Sequence, residues 1–327
     1  MGAMARRSFP ILFITATRIG DAVLSSGLIR KLYEEAPGAR FTIAAGPAAA
    51  PLFLDTPNLD DLIVMRKSPA GGHWFDLWRR TRARRWGLVV DMRGSAISGF
   101  LKRSRRAVYR RPEGDVVHKV IEAAGVLGLS PAEAPAPYLF TSAQTQALAA
   151  EVTAGGGPIL ALSPAANWVG KTWPAERFAQ AAIQLLREPA LAGGRLMVLG
   201  GPEDRGVVSA LRNIVPRERM IDLVGKVPLL TAYACLQRAR LFIGNDSGLM
   251  HLASAAGAPT LGLFGPSDDR RYAPWGPLGA VVRTPRSLDE IRAVDPDLNQ
   301  AVCHMMDLNV RTVVQAARQL LIETEEA

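Results

Sequence analysis

A chain of 327 residues, 48% apolar and of net charge +9, has material for two domains of about 150 residues, each with its own core. No apolar run reaches the roughly 18 residues that span a bilayer, and the apolar stretch near the start is too short for a secretory leader, with Met1-Gly2-Ala3 reading as a cloning remnant ahead of a native Met4. Two cysteines, Cys235 and Cys303, exclude a disulfide framework and a cysteine-rich metal site and point to a reduced, cytosolic compartment.

In chain order, β-rich runs at 11–16, 40–46, 61–65, 87–92 and 107–110 alternate with helical patterns. The clearest helix, 21–36, has apolar residues at helical spacing and Pro37-Gly38 as its stop. Such alternation builds βαβ units on a parallel sheet. The Pro/Ala-rich segment 130–138 has linker composition. The pattern then restarts: a strand at 158–164, a helix at 174–188 with Pro174 in its first turn, and strands at 195–201, 220–225, 239–246 and 259–265. A last helical pattern, 310–323, fits on either half. The expected architecture is α/β, with a Rossmann-like domain at 1–140, a linker or helix at 141–154, a second Rossmann-like domain at 155–305 and a C-terminal helix within 306–327.

Five polar or glycine-rich loops follow strands: TRIGD (17–21), SPAANWVGK (163–171), GGPED (200–204), NDSG (245–248) and FGPS (264–267). Ligands of open α/β sheets bind outside the carboxyl ends of the strands, so these loops describe a cleft with a wall from each domain. In NDSGLMHLASAAG (245–257), Asp246, Ser247 and Gly248 stand at a strand-to-helix junction, where free N–H groups and the helix dipole attract anions. His251 follows one turn later. The plainer reading is that Asp246 or Ser247 only caps the helix. In TRIGDAVLSSG (17–27), Gly20 makes the turn, Thr17 and Arg18 can hold phosphate or sugar oxygens, and Asp21 is either a cap or a general base. AANWVGKT (165–172) approaches a nucleotide-binding P-loop, but Ala165 stands where its first glycine belongs and the next helix starts beyond Lys171, at the proline. A lysine aimed at phosphate fits better than a P-loop. No metal-ligand spacing is present.

Charge is concentrated. Residues 66–111 hold fourteen Lys/Arg against Asp76 and Asp91, a local net of +12, which leaves −3 for the rest. The densest runs are 79–86 and 102–111. A solvated helix face plus loop is one reading, an anionic partner the other. Nucleic acid is not expected, because aromatic interleaving, zinc-finger spacing and RNA-binding signatures are missing.

ILFITATRIGDAVLSSGLIRKLYEEAPGARFTI, DMRGSAISGFLKRSRR, KTWPAERFA and GNDSGLMHLASAAGAPTLGLFGPSDDRRYAPWGP occur in the order found in one family. Over nearly its whole length the chain resembles the ADP-heptose:lipopolysaccharide heptosyltransferases, glycosyltransferase family 9. The resemblance implies a GT-B fold, with two Rossmann-like domains facing each other across a cleft, the acceptor on the first and the nucleotide-sugar on the second. It implies inversion at the anomeric centre, with no metal and no cofactor beyond the ADP-sugar co-substrate. By position Asp21 matches the catalytic base and Lys171 the lysine that neutralises the diphosphate. Asp246, Ser247, Gly248 and His251 match the block around the diphosphate and donor sugar. Glu203 matches a ribose-binding acid, and Val227 would border the base. Thr17, Arg18, Gly20 and Ser163 complete the expected donor set, and Arg93, Lys102, Arg103, Arg105 and Arg106 the expected acceptor set.

The expected function is therefore heptose transfer from ADP-heptose to an anionic glycolipid, a lipid A/Kdo-type lipopolysaccharide core. The expected place is the cytoplasmic face of a Gram-negative inner membrane, as a peripheral protein. Another nucleotide-sugar, a capsule, O-antigen or protein acceptor, or a non-catalytic binding protein are the alternatives.

Overall fold

Short apolar runs separated by amphipathic segments fold into two parallel sheets in the computed structural model, which describes residues 8–36, 38–112, 114–298 and 301–325. Met1-Gly2-Ala3 and the expected helix stop at Pro37 lie outside the described residues. The chain divides into two compact units, Met1–Ser142 and Ala143–Ala327.

In the first unit β1 (Phe9–Ile14) is buried on both faces from Ile11 onward, as a central parallel strand should be. It leads to α1 (Ile19–Leu24) and α2 (Gly27–Glu35), then β2 (Ala39–Ala45), β3 (Leu59–Val64), α3 (Gly72–Thr81), β4 (Trp86–Asp91), β5 (Arg103–Val108) and α4 (Lys119–Gly125). All neighbours pair in parallel, in the order β3-β2-β1-β4-β5. Right-handed crossovers put α3 and the short turn Ala96–Phe100 on one face, and α1 and α2 on the other. Leu12, Ile14, Ile63, Leu77, Val89 and Leu101 form the core beneath α3.

Three expectations need correction here. The helix read over 21–36 is two helices. The Ser25 hydroxyl donates to the carbonyls of Asp21 and Ala22, and that of Ser26 to Val23, so side chains compete with the helical ladder at the break. The segment 130–138 crosses at that break and is no free linker. The Tyr138 N–H donates to Ser26 Oγ at 2.9 Å, and a Cβ on Gly27 would lie 2.4 Å from the Ala136 carbonyl oxygen. The strand read at 107–110 begins at Arg103, so much of the second basic run is an edge strand, where charged side chains guard unpaired backbone.

The second unit opens with α5 (Ala143–Val152). It continues through β6 (Ile159–Ser163), α6 (Ala175–Leu185), β7 (Arg195–Val198), β8 (Met220–Asp222), α7 (Leu229–Leu236) and β9 (Leu241–Asn245). Then come α8 (Gly248–Ala255), β10 (Thr260–Phe264), α9 (Asp269–Tyr272), β11 (Gly279–Arg283), α10 (Leu288–Val294) and α11 (Val310–Glu323). The parallel order β11-β10-β9-β6-β7-β8 is the Rossmann order, starting in the middle and growing to either side. The sequence left the last helix unassigned; α11 packs on α6 and the sheet of this unit, burying Val313, Val314, Ala317, Leu320 and Leu321. Trp173, fully buried, donates its indole N–H to the Leu308 carbonyl at 2.8 Å and so ties this layer to the approach to α6.

Gly27→Ala is expected to cost about 1–3 kcal/mol by overpacking, whereas Gly125→Ala, which meets no atom within 4 Å, is expected to be neutral or stabilising. Urea midpoints of the two variants check this.

Candidate active site

Strand order reverses between β6 and β9, the place where open α/β sheets bind their ligands. Two consecutive residues from the end of β9 organise it. Asn245, fully buried, donates to the Pro164 carbonyl at 2.7 Å and accepts the Trp173 N–H at 3.0 Å. It thereby holds both ends of the loop after β6. Asp246 takes the middle of that loop: its Oδ2 lies 3.2 Å from Lys171 Nζ, and its Oδ1 3.8 Å from His251 Nε2. The side chains of Lys171 and Asp246 are 17% and 9% exposed, so solvent screens this pair far less than a surface ion pair.

Gly170 owes its place to packing, because a Cβ there would meet the Trp168 ring at 2.2 Å. The backbone at 169–171 makes one 3-10 turn, and α6 starts only after Pro174, so the loop is no P-loop. Ser247 occupies the N-cap of α8 without making a capping bond, and its hydroxyl is buried with no partner among the described residues. The simple capping role is therefore not what Ser247 does. Ser163, at the end of β6, also buries a hydroxyl without a partner. Two buried donors, an ammonium group and the amino end of α8 make a setting for an anion with several oxygens.

Ser163, Lys171, Asp246, Ser247, Gly248 and His251 are thus gathered at one strand reversal. Glu203 and Val227 follow β7 and β8 along the same edge, where Gly225 N–H donates to the Gly200 carbonyl at 3.0 Å and joins the two loops. Glu203 is exposed, Val227 half-buried. Burial pushes the neighbouring Asp204 carboxyl above its ordinary range, the Gly201 N–H opposes this, and the Glu203 charge adds to it.

In the first unit the corresponding reversal lies between β1 and β4. Thr17 and Arg18 are exposed after β1, and Gly20 and Asp21 are half-buried in the first turn of α1. Asp91, at the end of β4 and fully buried, accepts the N–H groups of Arg93 and Ser95 and the hydroxyls of Ser95 and Ser98. The Arg93 guanidinium stacks 4.6 Å from the Trp74 ring centre. The five basic residues expected to bind an acceptor do not form one cluster. Arg93 stands at the carboxyl edge. Lys102 and Arg103 stand where β5 begins, level with Trp86 and about 16 Å down the sheet. Arg103 is occupied by the Gly99 and Leu101 carbonyls, and Arg106 donates to Ser98. Arg105 is exposed.

Sequence reasoning missed Asn245, whose only signal was an amide ending an apolar strand. It also missed the strap over the lysine loop, where His304 N–H donates to the Gly170 carbonyl at 2.9 Å while its ring meets Asp295 at 3.1 Å, both side chains buried.

Two Rossmann-type units with their polar loops at the carboxyl edges define the GT-B class of glycosyltransferases. Residues 77–296 match the model of glycosyltransferase family 9 (heptosyltransferase), and the chain belongs to that family. It is an enzyme, a glycosyltransferase. It is 24% identical to lipooligosaccharide heptosyltransferase 2 of Haemophilus influenzae, over 84% of this chain and 88% of that protein. Among solved structures it is similar to a glycosyltransferase family 9 protein of Veillonella parvula, with a TM-score of 0.80, 22% identity and coverage of 98% and 100%. ADP-heptose lps heptosyltransferase II of E. coli gives a TM-score of 0.75 with 21% identity and the same coverage. Among the described residues no helix is long and apolar enough to cross a membrane.

Asn245→Ala leaves the Trp173 N–H and the Pro164 carbonyl without partners in a buried place and is expected to cost about 2–4 kcal/mol. Denaturant titration measures it, and a loss below about 0.5 kcal/mol would show that the loop stands without its pin.

Proposed function

We propose that this glycosyltransferase moves a heptose from ADP-heptose to a lipid A/Kdo-type lipopolysaccharide core, inverting the anomeric centre and using no bound metal. The observation that carries the reading is the Lys171–Asp246 pair at the amino end of α8, flanked by the buried hydroxyls of Ser163 and Ser247. The family and the names of the relatives support the heptose and the lipopolysaccharide.

In this reading Asp21 takes the proton from the acceptor hydroxyl as its oxygen attacks the anomeric carbon. The bond from that carbon to the diphosphate oxygen breaks on the opposite side, and ADP departs with the electron pair. Negative charge grows on the leaving group, where the Lys171 ammonium and the N–H groups of α8 stabilise it. An ammonium has three donors, so Lys171 keeps its contact with Asp246 while two remain for phosphate oxygens. Asp246 thus fixes the direction of Lys171 and adjoins His251. Glu203 holds the ribose and Val227 borders the base, while Thr17, Arg18 and Gly20 line the approach of the reacting sugar. Arg93, held above Trp74, meets an anionic group of the acceptor. The enzyme works as a peripheral protein at the cytoplasmic face of a Gram-negative inner membrane.

Thermal shifts with ADP, UDP, GDP and ATP, with and without magnesium, test the donor. The expected result is stabilisation by ADP that does not require magnesium; preference for UDP or GDP would discard the heptose donor. Asp21→Asn is expected to lower kcat by about 10²–10⁴-fold with the ADP shift retained, while Lys171→Ala reduces both. Undiminished transfer by Asp21→Asn would remove Asp21 from its role.

A further inference from the structure

The +12 charge of residues 66–111 is not one surface. Several of its arginines are consumed inside the first unit: Arg80 pairs with Asp61, Arg84 with Asp60, and Arg103 with backbone carbonyls. What remains outward-facing has a neighbour that charge alone does not account for. Both phenylalanines that stay largely exposed, Phe75 at 60% and Phe100 at 74%, belong to the layer of α3 and the turn Ala96–Phe100, which covers one face of the sheet. Eight other phenylalanines occur in the chain, so an outward position for these two is a choice of place.

The face is ordered. On α3, Phe75 lies one turn before Trp78, ring centres 5.7 Å apart, and the Arg82 guanidinium sits 4.9 Å from the Trp78 ring centre. Arg79 shares that stripe, four residues after Phe75 and one after Trp78. Asp76, the one acid of α3, is 3.8 Å from Arg79. Beside the helix, Phe100 is followed by Lys102 and Arg106. Lys102 is exposed just before β5, and the Arg106 bond to Ser98 places that exposed arginine on the side of the turn. The result is two exposed phenylalanine rings and the half-buried Trp78, rimmed by Arg79, Arg82, Lys102 and Arg106. Aromatic side chains that enter the headgroup boundary, with long basic chains reaching for lipid phosphates, are how a protein lies on an anionic bilayer without crossing it.

We propose that the α3 face of the first unit, centred on Phe75, Trp78 and Phe100, is the surface that docks on an anionic phospholipid bilayer. Charge complementarity selects this occupant: four cations rim the rings, with Asp76 the one acid of α3 beside them. The inference deepens the peripheral association proposed above and rests on it for its biological setting, but it needs neither sugar donor nor acceptor. It separates two tasks that the basic segment was first given together. Lys102 and Arg106 attend the bilayer, whereas Arg93, at the carboxyl edge of the sheet, attends the reacting glycolipid.

The test is co-sedimentation of the full-length protein with vesicles of phosphatidylcholine alone or with phosphatidylglycerol added. Binding is expected only to the anionic vesicles and is expected to fall as salt rises. F75S/F100S and, separately, R79Q/R82Q/K102Q are each expected to weaken it about tenfold or more, with the thermal shift on ADP unchanged as a sign of intact folding. Equal binding to neutral vesicles, or unchanged binding by F75S/F100S with its ADP shift intact, overturns the proposal. So does a fall in oligomeric state of F75S/F100S with vesicle binding unaltered, because the face would then join two copies of the chain. A wild-type protein that binds vesicles but is not stabilised by ADP would sink the proposed donor and leave this surface standing.

Discussion

The reversal of strand order between β6 and β9 is the constraint from which the second unit's chemistry follows. It obliges a ten-residue excursion, 164–173, to leave one strand and return to a helix on that strand's own side. Asn245 closes this loop at both ends and Asp246 holds its lysine. Neighbouring residues of one strand end therefore divide the work: a neutral amide holds the ends of a loop, and a carboxylate sets the position of a charge. Had the charge also been the pin, any ligand that competed for it would have loosened the loop.

The two units show what the same topology does with different side chains. In the first unit the position after the central strand pair holds Asp91, also buried, but all its capacity goes to the turn that follows it, four donors from three residues. A carboxylate so engaged is a staple. Asp21 is half-buried in the first turn of α1, after the strand that pairs with β4 at the same reversal. That Asp91 serves as a staple is decided by donors supplied locally, not by the fold.

How much of this was legible in the sequence varies with the physics. Parallel strands buried on both faces are continuous apolar runs, so the central strands at 11–16, 158–164 and 239–246 were plain. The edge strand β5 was not, since RSRRAV carries little apolar signal and obtains its place by pairing with β4. The break in the first helix was hidden for a different reason: Ser25, Ser26 and Gly27 are unremarkable until segment 130–138, more than a hundred residues on, crosses above them. The motif around Asp246 could be recognised locally because a strand end and a helix start are adjacent in sequence. Gly170 resembles a phosphate turn, and the sequence already argued against a P-loop; what it could not show is that this glycine makes room for the ring of Trp168. The charge of 66–111 was visible as a sum, but only the folded chain distinguishes an arginine bonded to a carbonyl from one facing water.

The placement of α11 has a temporal side. The first unit is complete at residue 142, and such a unit can fold as soon as it leaves the ribosome. The second cannot. Its core includes Met305, Leu308 and the apolar face of the final helix, and Leu308 accepts the indole of Trp173 from the foot of the lysine loop. During synthesis the half that carries Lys171 therefore waits for α11 to be added, exposing its apolar strands meanwhile. The half that holds the basic aromatic face is finished long before.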